Sequence, residues 1–166
     1  MTDEIIIYTD GACLGNPGPG GWAAVLIWGS RRKELSAGYK MTTNNRMEVL
    51  AAIEALRAIK TNKRYNIRLH SDSRLLINSF NQGWLEKWKN NGWMRNRKEP
   101  VLNPDLWKLL LDETAKHNVK FVWVEAHAGI PENERCDFLS KQAAQNPILL
   151  VDDYYENDGG IKLWNV

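Results

Sequence analysis

Ile5-Ile6-Ile7-Tyr8-Thr9-Asp10-Gly11 reads as a short apolar, partly β-branched strand that stops at a turn, leaving a carboxylate at its carboxyl end. Next along the chain, Gly15-Asn16-Pro17-Gly18-Pro19-Gly20-Gly21 has the composition of a turn-rich loop, unsuited to a helix or an inner strand. Trp22 to Trp28 reads as a second strand, Arg31-Arg32-Lys33 as an exposed hairpin connection, and residues 34–41 as a third strand. Three strands with such short connections imply an antiparallel meander. Thr43-Asn44-Asn45 then offers N-cap side chains to a helix, whose apolar residues Met47, Leu50, Ala51, Ile53 and Leu56 recur at helical spacing.

Tyr65 to Leu69 reads as a fourth strand, and Ser71-Asp72-Ser73 places a second carboxylate where that strand gives way to a helix. Residues 82–103 read as irregular. Pro104-Asp105 opens a helix through about Lys116, Val119 to Val124 is a fifth strand, and the loop Glu125 to Pro131 leads into a last helix. The order β-β-β-α-β-α-α-β-α predicts an α/β fold, a mixed sheet with helices packed on it. Open sheets of this class put their chemistry at the carboxyl ends of the strands. Asp10 and Asp72 fall at such ends, and His127 follows the fifth strand.

Composition narrows the function classes. At 166 residues the chain is about one domain, and 43% hydrophobic with 25% charged residues excludes a mainly disordered or collagen-like chain. No apolar run approaches the ~20 residues of a spanning helix, and Met1-Thr2-Asp3-Glu4 is unlike a basic signal-peptide start, so a cytoplasmic protein without membrane association is expected. Cys13 and Cys136, with no C-x-x-C spacing, are expected to be reduced structural thiols. No sequence stripe suggests dimerisation, so a monomer is expected. The net charge of +2 is uneven. Residues 147–166 carry Asp152, Asp153, Glu156 and Asp158 against Lys162, a net −3, which leaves +5 on residues 1–146. The chain therefore divides near Asn146-Pro147 into a moderately basic body, 1–146, and an acidic C-terminal extension, 147–166. Such a body permits a polyanionic partner.

Four carboxylates occupy distinctive places: Asp10 at the end of the first strand, Glu48 one turn into the first helix, Asp72 at the end of the fourth strand, and Asp137 early in the last helix. Taken singly they have plain readings: an Asp-Gly turn, a helix cap and two solvated helix faces. Taken together they could not all ionise without a cation, since like charges at close range raise one another's pKa. Hard divalent cations with oxygen ligands resolve that conflict.

The text around them is more specific. Tyr8-Thr9-Asp10-Gly11-Ala12-Cys13 leads into the glycine-proline stretch and Trp22. Thr42-Thr43-Asn44-Asn45-Arg46-Met47-Glu48, Ser71-Asp72-Ser73, and His127-Ala128-Gly129 with Asn133-Glu134-Arg135-Cys136-Asp137 follow in order. In sequence and spacing these resemble type I ribonuclease H, bacterial form, from about Ile5 to Ala144. The resemblance makes residues 1–146 a ribonuclease H catalytic domain and implies the strand order 3-2-1-4-5, with helices on both faces of a five-stranded mixed sheet. It implies endonucleolytic hydrolysis of the RNA strand of an RNA–DNA hybrid, without sequence specificity, leaving 5′-phosphate and 3′-hydroxyl ends. It also implies a catalytic and metal-binding quartet of Asp10, Glu48, Asp72 and Asp137 holding two magnesium ions, with manganese as a possible substitute. The family's counterpart of His127 assists proton transfer or product departure, a role that suits an imidazole titrating near neutral pH. Glu125-Ala126 precede this histidine where the family often has Lys-Gly, and Ser71 stands where a threonine is usual.

Substrate contacts follow from the same resemblance. Trp84, Trp88 and Trp93 are interleaved with Lys87, Lys89, Arg95, Arg97 and Lys98, which reads as a protruding basic handle on the DNA strand of the hybrid. The plainer reading packs the tryptophans between helices and leaves the charges solvated. Asn16, Asn44 and Asn45 would read 2′-hydroxyls in the wide minor groove, and Thr43 would help hold a DNA phosphate. Two other functions fit less of the text: a DNA-cutting or strand-transfer enzyme of the same fold, and a non-catalytic hybrid-binding module. For the tail, the apolar Ile148-Leu149-Leu150-Val151 is expected to dock on the body, with the acidic residues kept away from the active site.

Overall fold

A computed structural model describes residues 4–159. The order is β1 (Glu4–Cys13), β2 (Gly18–Trp28), β3 (Arg31–Thr42), α1 (Asn44–Arg57), β4 (Asn66–Ser71), α2 (Arg74–Asn81), α3 (Trp84–Asn90), α4 (Pro104–Thr114), β5 (Asn118–Trp123) and α5 (Pro131–Ala144), followed by a π-helical turn over Tyr154–Gly159. The sheet runs β3-β2-β1-β4-β5, as the resemblance implied. β1, β2 and β3 form the antiparallel meander, and β4 and β5 add in parallel on the other side of β1.

The two-residue period of β1 and β2 sorts the core into two layers. Ile5, Ile7 and Ala24 face Met47, Val49, Ala52, Ile53 and Leu56 of α1, with Leu76, Leu106, Trp107 and Leu110 from the later helices. Ala23 and Val25 face the other way, onto Cys136 and Leu139 of α5, with Tyr8 packed beside them. Each fully buried leucine or isoleucine here contributes about 1.5–3 kcal/mol of transfer free energy. Helices therefore cover both faces. No helix among the described residues is long and apolar enough to cross a membrane.

Several local expectations are corrected. β1 does not stop at the Thr9-Asp10-Gly11 turn signal but runs on to Cys13, because Thr9, Asp10, Gly11 and Ala12 pair with Ala24, Ala23, Trp22 and Gly21. The sheet ladder outweighs the local turn preference. Gly18 to Gly21 are likewise part of β2, an inner strand, and the irregularity that Pro19 imposes is absorbed by a register shift between Gly18 and Gly20. Glycine suits this stretch because α5 lies against its backbone: a β-carbon on Gly21 would sit 2.2 Å from the Ser140 carbonyl oxygen. Arg31-Arg32-Lys33 belong to β3, and the hairpin turns at Gly29, whose φ is +60°. Residues 82–103 are more ordered than expected and contain α3.

The beginning of the C-terminal extension docks on the body, but chiefly by backbone pairing rather than by its apolar side chains. Leu150 joins the edge of β3: its N–H donates to the Gly38 carbonyl (2.8 Å) and its carbonyl accepts from the Lys40 N–H (2.8 Å). The side chains of Ile148, Leu150 and Val151 stay exposed, which corrects the expectation that this apolar stretch is buried against the body. Leu163 and Trp164, the later apolar residues of the extension, lie outside the described residues.

Candidate active site

Asp10 enters the site from the centre of the sheet. It is buried within β1, and its own Oδ1 accepts from the Gly11 N–H at 2.9 Å. Glu48 enters from α1, which Thr43 caps by accepting from the Arg46 N–H at 3.2 Å. Such a cap is worth about 1 kcal/mol and fixes where the helix starts. Asn44 and Asn45 are thereby released from the capping role. Asp72 follows β4 directly. The N-cap of α2 is Ser73, whose Oγ accepts from Leu76 N–H at 3.2 Å, so Asp72 is not spent on capping either.

One carboxylate oxygen from each of Asp10, Glu48 and Asp72 lies within 4.8 Å of the others. Burial first, then the charge of Asp72, pushes the Asp10 carboxyl up to about 7. Burial, then the charges of Asp10 and Asp72, pushes Glu48 well above the ordinary carboxylate range. The buried Glu48 Oε2 has no hydrogen-bond partner among the described residues. Three converging carboxylates, one carrying an orphaned oxygen, are an incomplete arrangement for protein groups alone. They fit a hard divalent cation.

Asp137 stands apart from this triad. It lies in the middle of α5 rather than at its start, and its Oδ2 accepts from Lys141 Nζ at 3.0 Å. Its charge still reaches Asp10 and contributes to raising that group's pKa. His127 is exposed in the turn after β5, with a φ of +57°, a left-handed conformation that histidine tolerates better than most non-glycine residues. His70 and His117 are engaged with backbone: His70 Nδ1 lies 3.1 Å from the Ile7 carbonyl, and His117 Nδ1 accepts from Tyr65 N–H. Cys13 and Cys136 are free thiols.

Asn16 and Asn44 are joined, since the Asn44 N–H donates to Asn16 Oδ1 at 3.0 Å, and Asn45 is exposed beside them. In the handle both readings hold for different residues. Trp84 and Trp88 lie 6.2 Å apart, Trp88 lies 5.8 Å from the core residue Trp107, and Lys108 sits over Trp93. The tryptophans therefore pack. Lys87, Lys89, Arg95, Arg97 and Lys98 are exposed, and Arg95 is paired with Glu99.

Two contributors were not singled out in the sequence. Asn133, buried, donates from Nδ2 to Asp72 Oδ2 at 3.2 Å and orients that carboxylate. Lys141, one turn beyond Asp137, was the other. Asn133 lay within a quoted motif, but no spacing rule connects it to a residue 61 positions away.

Known proteins resemble the chain closely. A ribonuclease H of Syntrophus aciditrophicus is 57% identical over 152 residues, covering 92% of this chain and 87% of the relative. The solved structure of LC9-RNase H1, a type 1 RNase H with the type 2 active-site motif, superposes with a TM-score of 0.79 at 31% identity, over 92% of this chain and 79% of that one. LC11-RNase H1, solved in complex with an RNA/DNA hybrid, has a TM-score of 0.61 at 27% identity, over 84% of this chain and 96% of that one. The family model for RNase H matches residues 2–145, the span that holds the sheet and all four carboxylates, and the chain belongs to the ribonuclease H family.

Proposed function

We propose that the chain is an endoribonuclease that hydrolyses the RNA strand of RNA–DNA hybrids without sequence specificity, leaving 5′-phosphate and 3′-hydroxyl ends. The observation that carries this reading is the buried convergence of Asp10, Glu48 and Asp72 in a ribonuclease H frame. Asp10, Glu48, Asp72 and Asp137 would hold two magnesium ions, or manganese in their place, which when bound make hydroxide available near neutral pH and stabilise the leaving 3′ oxygen.

The chain's own residues supply position and charge. Asp10, central in the sheet, offers a carboxylate oxygen beside those of both Glu48 and Asp72. Asn133 holds Asp72 in its orientation, and Lys141 holds Asp137 until a cation competes for it. His127, on an exposed turn, is free to reach the leaving group and carry a proton. Asn16, Asn44 and Asn45 contact the minor groove, where 2′-hydroxyls distinguish RNA from DNA. Thr43 contacts a DNA phosphate. Lys87, Lys89, Arg95, Arg97 and Lys98 bind phosphates of the DNA strand, and Trp84 and Trp88 shape the surface that presents them. The reading also takes the protein as a cytoplasmic monomer without a membrane partner.

A short labelled RNA–DNA hybrid, incubated with and without magnesium beside matched duplex DNA and duplex RNA, tests the proposal. Magnesium-dependent cleavage confined to the RNA strand of the hybrid is expected. Binding without cleavage would favour a hybrid-binding module, and cleavage of duplex DNA would favour the DNA-cutting alternative.

A further inference from the structure

Arg46 is 2% exposed, and all of its guanidinium N–H groups are engaged. Nε donates to Asp152 Oδ2 at 2.7 Å and Nη2 to Asp152 Oδ1 at 2.9 Å. Nη2 and Nη1 donate to the two oxygens of Asp105 at 2.8 and 2.9 Å, and Nη1 also reaches Asn103 Oδ1 at 3.2 Å. Five donor positions with five contacts saturate the fork. Asp152 is itself buried and takes a further hydrogen bond from the Thr42 hydroxyl at 2.7 Å. The ring of Tyr154 lies 5.1 Å from the guanidinium carbon.

The partners come from four parts of the chain. Thr42 ends β3. Arg46 lies in the first turn of α1, between the substrate-facing Asn44 and Asn45 and the carboxylate Glu48. Asn103 and Asp105 are where the basic handle rejoins the body at α4. Asp152 belongs to the acidic C-terminal extension. One guanidinium thus links the asparagine turn, the base of the handle and the tail. A buried ion cluster of this kind is a weak source of net stability, because desolvating the charges offsets much of their attraction. Its distinctive product is geometry, since a bidentate fork tolerates little displacement.

We propose that Asp152, acting through Arg46, is a positioning residue for hybrid binding: it fixes the asparagine turn relative to the base of the handle, making the C-terminal extension part of the substrate-binding apparatus. This rests on the hybrid-cleaving function proposed above. The sequence alone pointed to a tail held away from the site. Asp152 does stay out of the carboxylate cluster, but it holds the helix that carries Glu48 and the asparagines.

The test compares the full-length chain with Asp152→Ala in two measurements. One is steady-state cleavage of the hybrid. The other is anisotropy of a labelled hybrid with divalent cations chelated, which reads binding without catalysis. Asp152→Ala is expected to raise both the KM and the metal-free Kd about fivefold or more, with kcat and the magnesium concentration for half-maximal rate within about twofold, the signature of lost binding common to ground and transition states. Asp152→Glu, which keeps the charge and both acceptors, should recover most of the loss. Ile67→Ala, at the opposite end of β4, gives a destabilised chain with no link to Arg46, and its KM should not move. A folded Asp152→Ala with unchanged KM and Kd, or a KM rise matched by Ile67→Ala, overturns the proposal. Should Asp152→Ala fail to fold, Asp152→Asn serves, because an amide sets an N–H against the Arg46 fork. Unchanged Kd in that variant also overturns it. Absence of cleavage by the unmodified chain would refute the enzymatic reading instead, leaving the binding comparison intact.

Discussion

The backbone of Gly11 passes so close to Glu48 that a β-carbon built on the glycine would sit 2.4 Å from the Glu48 nitrogen and 2.6 Å from the Met47 carbonyl carbon. This approach of β1 to α1 brings the carboxylates of Asp10 and Glu48 into one cluster, although they sit on different elements. Both contacts are backbone atoms of α1, so neither can swing aside. Gly11→Ala should therefore push α1 off the sheet. We expect a loss of about 1–3 kcal/mol in stability from overpacking, together with at least about a tenfold fall in cleavage rate. A normal rate with normal magnesium dependence in this variant would show that the spacing of the two carboxylates is not critical.

Asp10→Asn should abolish cleavage while leaving hybrid affinity within about tenfold, since affinity comes mainly from phosphate contacts elsewhere. The same substitution should raise the melting temperature of the metal-free protein above neutral pH, because it removes a buried charge facing two others. Substantial magnesium-dependent activity would remove Asp10 from its assigned role.

The raised Asp10 carboxyl sets a pH dependence of stability without metal. Between about pH 4 and pH 7 the folded state keeps a proton on Asp10 that the unfolded chain, titrating near 3.8, has released. The unfolded state then binds fewer protons, so stability falls as pH rises through this window and levels off above it. Glu48 acts in the same direction. Magnesium should flatten the profile by stabilising the ionised cluster. Denaturant melts across this range, with chelator and with magnesium, check both the sign and its reversal.

Replacing Lys87, Lys89, Arg97 and Lys98 with alanine should raise KM far more than it lowers kcat, and make the salt dependence of binding shallower. Arg95→Ala alone should have a smaller effect, because Glu99 already shares that charge. An unchanged salt slope in the fourfold variant would mean that the handle does not touch phosphate.

Trp88 is expected to act on stability before binding. Its ring lies 5.8 Å from Trp107, which is 1% exposed, so Trp88→Ala opens the surface of the main core layer. A drop in melting temperature should accompany any rise in KM. A KM change with no loss of stability would instead indicate direct contact with the hybrid.

The α/β class, the order of most elements and the three carboxylates that converge, Asp10, Glu48 and Asp72, were legible in the sequence, because hydrophobic periodicity and long motifs are local properties of the chain. Local signals erred where sheet pairing competed with them. Asp10-Gly11 has turn chemistry and Gly18 to Gly21 has loop chemistry, yet both lie in strands, since the ladders that β2 makes with β1 and β3 pair them with neighbouring strands. α3 was missed because seven residues rich in tryptophan and lysine show too little of a helical period to be read. What only the tertiary structure decided is which distant residues meet: Asn133 on Asp72, Asp152 on Arg46, and three carboxylates within 4.8 Å while Asp137 pairs with Lys141. Contacts across 61 or 106 residues depend on how close the backbones lie, and that is set by packing at positions such as Gly11 and Gly21 rather than by any pattern along the chain.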